Sequence, residues 1–430
     1  MSKHLINDLP ELVGANIISE ETAESIRNYY KSRSASPQNR LLIIFGILGA
    51  ILMGLGIILI IAHNWDDFSR TAKTILSFVP LLTGQLLCVF VLLRKSDSVA
   101  WRESTAAFLF FAVGASISLI SQIYNISGDL SAFILTWMLL CFPLMYIMNS
   151  SLASLLYVAG ITAYAVNRSY WSFPDETSYL YWLLLLLALP HYYSLNRKNP
   201  KGNFTIVHNW IVPLSVIVAL GTLSGKFDEL MYIAYMSLFA LLCITGNSKF
   251  FVHQKLRNNS FMVLGSLGTL SLLLSLSFDW FWDDLYRKSF YDGMLRSPEF
   301  IAASLLSMAA IVLLVLVYRK KSFSQFDPIE ISFILFIIIF IVGMPVIAVT
   351  LINILIFLLG LEKIRAGARA NNLGTLNYGL LIITALVTCR FFDSNMSFAV
   401  RGILFVAVGA GFFVANYLMI RKRKTIEALQ

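Results

Sequence analysis

Residues 41–62 read LLIIFGILGAILMGLGIILIIA, twenty-two positions without a charge. A helix that crosses the hydrocarbon core of a bilayer needs about 20 such residues. Inside lipid every backbone N–H and C=O must find its partner within the protein, so only helices and closed barrels can span. The stretch has no period-two alternation of the kind a barrel strand carries, and a helix is the reading that remains.

Working outward, similar blocks recur as far as the C-terminus. Hydrophobic residues make up 58% of the chain and charged residues 13%, against about 25% charged in a soluble domain. The blocks predict fourteen helices, over roughly 41–62, 74–93, 105–124, 131–148, 151–167, 179–193, 208–223, 229–246, 260–278, 300–318, 330–343, 346–361, 375–389 and 398–420. The expected fold is all-α, a polytopic transmembrane helix bundle preceded by a short cytosolic helical segment. The domains divide as a leader over 1–40, an N-terminal membrane domain over 41–168, and further membrane helices over 169–430. The apolar run on either side of Gly343 and Pro345 is too long for one upright helix, and predicts a tight hairpin or a kinked segment.

Loop charge tests this count. With the N-terminus in the cytosol, 24 of the 33 basic residues fall on the cytosolic side and 8 on the other, leaving Arg401 inside the last helix. Short loops on the cytosolic side hold the excess of Lys and Arg, so both termini are expected there. The net charge of +9 is then a topology signal. It points to membrane lipids as the surroundings and gives no reason to expect nucleic acid.

The leader carries Leu5, Leu9, Leu12 and Val13 at helical spacing, with Gly14 as a stop. Ser19, Glu20 and Glu21 then open a second short helix, the acids suiting a helix N-terminus. Residues 1–40 are either an amphipathic lead-in or a docking module for a cytosolic protein partner. The four cysteines lie in or beside apolar blocks without CxxC spacing, and read as buried apolar side chains.

No signature of a soluble enzyme is present: GxxxxGK[ST], HExxH, GxSxG and the dinucleotide fingerprint are all missing. The chain therefore predicts no catalytic centre, no cofactor and no metal. His191 and His208 flank one cytosolic loop and read as interfacial. The loop 279–299 is rich in aromatic residues and reads as an element lying along the interface. A carboxylate site on its Asp279, Asp283 and Asp284 matches no metal-ligand spacing.

One helix carries a polar stripe. Ser118, Ser121, Gln122 and Asn125 recur at i, i+3, i+4 and i+7, with Gly114 a turn earlier and Asp129 just beyond. An amide cannot face lipid cheaply, so the stripe looks into the bundle or a wet cavity. It is either hydrogen-bond glue between helices, the favoured reading, or a ligand site. Trp65 and Asp66 after the first helix, and Arg390, Asp393 and Arg401 near the last, are expected at the same depth. Nine residues (Trp65, Asp66, Ser118, Gln122, Asn125, Asp129, Arg390, Asp393 and Arg401) form the candidate polar pocket. Small residues at four-residue spacing, Gly46, Ala50 and Gly54 in the first helix and Ala407, Gly411 and Ala415 in the last, predict close packing there.

Two stretches resemble a known family. The segment 46–85, GILGAILMGLGIILIIAHNWDDFSRTAKTILSFVPLLTGQ, is similar to the start of the bacterial membrane-protein family known as domain of unknown function 2157, through its Gly-rich helix, Asn64-Trp65 and Lys73. Residues 114–129, GASISLISQIYNISGD, resemble the same family's Q-I-Y motif and loop. The leader ending at Tyr29 and Tyr30 resembles the family's short helical leader, and the tail at Arg390–Asp393 with Arg401 resembles a tail often found in its longer members. The resemblance implies a bacterial inner-membrane protein and brings no activity with it. The expectation is a multi-pass inner-membrane protein without an evident catalytic centre. Its alternatives are a transporter or lipid flippase with an outward polar cavity, an enzyme acting on lipid-linked substrates, and a scaffold for a cytosolic partner.

Overall fold

A computed structural model of the protein describes residues 9–15, 17–33, 65–170, 178–248, 251, 258–286, 293–319, 327–342, 345–391 and parts of 397–417. Two compact units divide the chain, Met1–Leu76 and Ser77–Gln430, and each is described by itself. The helix expected over 41–62, with Gly46, Ala50 and Gly54, lies outside the described residues.

In the first unit residues 9–14 are helical, and α1 follows as Glu20–Arg33. Ser19 starts α1 by accepting the Thr22 N–H at 3.2 Å, which satisfies one of the four unpaired donors of a helix start. Farther on, the Lys73 ammonium sits 5.8 Å from the centre of the Trp65 ring.

The division falls within α2 (Arg70–Arg94). After it come α3 (Val99–Tyr124), α4 (Leu130–Ile147), α5 (Ser151–Tyr170), α6 (Leu180–Lys198) and α7 (Asn203–Leu220). The chain continues through α8 (Leu230–Gly246), α9 (Ser260–Ser275), α10 (Asp279–Tyr286) and α11 (Pro298–Tyr318). It ends with α12 (Pro328–Val342), α13 (Pro345–Arg369), α14 (Leu373–Phe391) and a further helical stretch within 398–417. No strand occurs among the described residues. Among the described residues, seven helical spans are long and apolar enough to cross a membrane, Arg70–Arg94, Val99–Tyr124, Leu130–Ile147, Asn203–Leu223, Pro298–Tyr318, Val346–Arg369 and Leu373–Phe391. The protein is an all-α, multi-pass membrane protein.

Thirteen of the fourteen expected helices overlap described helical residues. The largest difference is at α13, which continues through the charged residues 362–369 and stops only before Asn371, whose φ of 52° is left-handed. A helix ends where the backbone is broken and not where apolarity ends. Residues 279–286, expected as interfacial loop, form α10, with Trp280 exposed and stacked 4.1 Å from Phe281. The long apolar run is two helices, α12 and α13, packed against each other. Their junction at 343–344 lies outside the described residues.

The second half centres on α8, which packs against α7, α9, α11 and α12. Twelve of its seventeen residues are buried, on every face. A helix that is apolar all round belongs in a core. Small residues bring its neighbours close: a Cβ on Gly265 would sit 2.6 Å from the Phe239 carbonyl oxygen. The same device joins α13 to α14, where a Cβ on Gly379 would meet the Ile364 nitrogen at 2.6 Å. At Gly411, by contrast, no described atom comes within 4 Å.

Candidate functional site

Three helices build a groove. Ser116 on α3 donates its hydroxyl to the Ser77 carbonyl at 2.7 Å, holding α3 against α2. Trp137 on α4 donates its indole N–H to the Phe110 carbonyl at 2.8 Å, holding α4 against α3. Gly114 allows this contact, because a Cβ there would lie 2.5 Å from the Trp137 ring. Between the three helices lies an open cavity of about 1010 Å³.

One end of the cavity is polar. Ser118, Ser121 and Gln122 of α3, with Ser127 and Asp129 of the following loop, line it there. Asn125 takes the left-handed conformation (φ 50°) that ends α3 and turns the chain into this loop; Asn tolerates that region better than most residues. Asp129 then starts α4, one carboxylate oxygen accepting the Ala132 N–H at 2.8 Å. Ser121 donates to the Ile126 carbonyl at 2.9 Å and so fixes the loop's near end. The side chains of Ser118 and Gln122 are exposed and bond to nothing among the described residues.

Away from the loop the walls are apolar. Leu81, Val113, Ile117, Phe133 and Leu140 line them, interrupted by Gln85 and Thr136. At 1.5 Å rise per residue, the distance from Asp129 to Leu140 along α4 is about 16 Å. The cavity therefore grades from polar to apolar over about half a hydrocarbon core.

The cavity takes in part of the expected pocket. Ser118, Gln122 and Asp129 line one cavity, and Asn125 shapes its rim. Arg390 lies in a different part of the bundle, donating to the Ser277 hydroxyl at 3.2 Å with its guanidinium 4.8 Å from the centre of the Phe278 ring. Trp65 and Asp66 belong to the first unit. Asp393 and Arg401 lie outside the described residues. Ser116, two positions from the stripe, supplies the brace between helices, and Gln85 joins the lining without any sequence period to mark it.

Other buried polar groups act as braces. Glu103 on α3 accepts the N–H groups of Ser151 and Leu152, at 2.9 and 2.8 Å, at the start of α5. His191 and His208, expected at the interface, are instead buried, their rings 6.3 Å apart. The reason is tertiary: Tyr192 stacks on His208, and Ser154 of α5 reaches its Nε2 at 3.2 Å. A carbonyl can only accept, so His208 Nδ1 carries a proton toward Phe204, and Nε2 accepts from Ser154. In the second half Lys363 pairs with Asp327 at 2.5 Å, and Glu330 accepts from Asn247 and Tyr318. No three His, Cys, Asp or Glu among the described residues are placed to hold a metal.

Residues 10–154, about a third of the chain, match the family described as predicted membrane protein, domain of unknown function 2157. It is the family that the motifs at 46–85 and 114–129 resemble, and the match takes in the whole groove. No curated protein and no solved structure matches the chain.

Proposed function

We propose that this protein binds a membrane amphiphile in the groove between α2, α3 and α4 and moves it between leaflets, as a lipid transporter of the bacterial inner membrane. One observation carries the reading. Ser118 and Gln122 spend their polar groups on the cavity, while Ser116 does the bracing between helices. Polar side chains at membrane depth are costly unless a ligand, water or the protein meets them. A headgroup among Ser118, Gln122 and Asp129, with its chain along Leu81, Phe133 and Leu140, would meet both kinds of wall. The volume also lies at the upper end of the range of small-molecule sites, about 300–1,000 Å³. With both termini in the cytosol, as the basic residues favour, the polar end opens on the outer side.

Purified protein reconstituted into vesicles tests this. Headgroup-labelled phospholipid placed in both leaflets is bleached from outside, and the fraction that becomes accessible over time is followed. The expected result is faster exchange than in protein-free vesicles, slowed by Gln122→Leu. Exchange no faster than in protein-free vesicles would overturn the transport reading.

A further inference from the structure

The groove has a neighbour. A second cavity of about 460 Å³ lies between α4, α5 and α7, walled by Ile134, Val166, Ile211, Leu214 and Val218. Leu130 lines both cavities. It is the first residue of α4 and follows Asp129 directly. Phe133, Thr136 and Leu140 lie on one face of α4 and border the first cavity, while Ile134, turned about 100° from Phe133, borders the second. The start of α4 is thus a ridge with a channel on each side.

The two channels differ in kind. The second contains Thr162, Asn167 and Ser215, but these are already engaged. Thr162 and Ser215 share a hydrogen bond of 2.6 Å, and Asn167 accepts the Ser131 hydroxyl at 2.8 Å. What this cavity offers a ligand is apolar wall. The polar groups that remain open, Gln122, Ser118 and the second carboxylate oxygen of Asp129, all belong to the first. The two cavities share Leu130 in their linings, next to Asp129 at the polar end of the first.

We propose that the two cavities hold a single lipid with two acyl chains, its headgroup at Asp129 and Gln122 and one chain on each side of α4. This rests on the lipid-binding reading above and narrows it to a class: diacyl lipids, with one-chain amphiphiles as poor ligands. The ridge at Leu130 lies where a glycerol backbone divides into its chains. Two separate one-chain ligands would leave the second without a partner for its headgroup.

Photolabelling in vesicles of phosphatidylethanolamine and phosphatidylglycerol tests the proposal. The probes are phosphatidylethanolamine with a diazirine on one chain and its one-chain lyso counterpart. Labelling of residues 133–140 and 211–218 is read by mass spectrometry relative to the exposed face of α11 at Leu305, Met308 and Val312. The diacyl probe is expected to enrich at both segments. Ala163→Phe, at an exposed position of the second cavity, should lower diacyl labelling at 133–140 about tenfold, the effect of losing roughly two buried methylene groups. Lyso labelling there should not change. Ala159→Phe serves the same purpose if the first variant unfolds early. Equal responses of the two probes would overturn the two-chain proposal while leaving the groove a lipid site. No enrichment of either probe over the α11 face would overturn both readings.

Discussion

The Glu103 carboxylate accepts the Ser150 hydroxyl at 2.5 Å, forty-seven residues along the chain. Ser150 in turn accepts the Ala153 N–H at 3.1 Å, and donates its own N–H to the Met145 carbonyl at 3.1 Å. With Ser151 and Leu152 bonded to Glu103, all four unpaired donors at the start of α5 are satisfied. A negative charge at a helix N-terminus is also favoured by the peptide dipoles. Glu103 thus secures the turn between α4 and α5 from a helix that borders the groove.

Glu103→Ala is therefore expected to destabilise the bundle by about 3 kcal/mol or more, since it strands buried donors that had a charged acceptor. Glu103→Gln keeps one acceptor oxygen and should lose less. Thermal unfolding in detergent ranks the two. An alanine variant as stable as the parent would mean that water replaces the carboxylate.

At Asp129 capping and binding can be separated. Asp129→Ala removes the acceptor for the Ala132 N–H and should cost about 1 kcal/mol, whereas Asp129→Asn retains a good cap. Thermal unfolding should find the asparagine variant near the parent. Lipid labelling in the groove then reports the effect of charge alone.

Glycines predict opposite outcomes at two places. Gly379→Ala forces a Cβ into the backbone of α13 and should cost about 1–3 kcal/mol, as overpacking does. Gly411→Ala meets no described atom and should be neutral or gain up to about 1 kcal/mol of helix propensity. Destabilisation at Gly411 equal to that at Gly379 would reveal a tight contact at the last helix.

The charge distribution predicts topology. A reporter active only outside the cytosol should be silent after Gln430 and active within 279–299. The reverse would invert the assignment, and the same result at both sites would remove one crossing between them.

Most of the helices were legible because lipid leaves the backbone few choices, and uninterrupted apolar blocks announce the outcome. Half of the groove was legible for a related reason: Ser118 and Gln122 repeat at the helical period on an otherwise apolar helix. Gln85 was not, since a single polar residue has no period. Nor was Ser116 as a brace, because its partner is a carbonyl on another helix and sequence does not display carbonyls. The burial of His191 and His208 depends on α5 and on the stacking of Tyr192, contacts that no local pattern encodes. Arg390 looked like a member of the same pocket because depth is readable from loops, but position around the bundle is not.

The enclosed position of α8 also bears on biogenesis. Of the described helices packed most closely on it, α7 is synthesised earlier, while α9, α11 and α12 leave the ribosome later. On entering the bilayer α8 is first wrapped in acyl chains, which solvate its apolar surface as well as leucine does. Its assembly is therefore an exchange of lipid for protein, won by close fits such as Gly265 against Phe239 and Cys243. A nascent chain halted after α9 would hold α8 packed on α7 and α9 alone, its other faces in lipid until α11 and α12 follow.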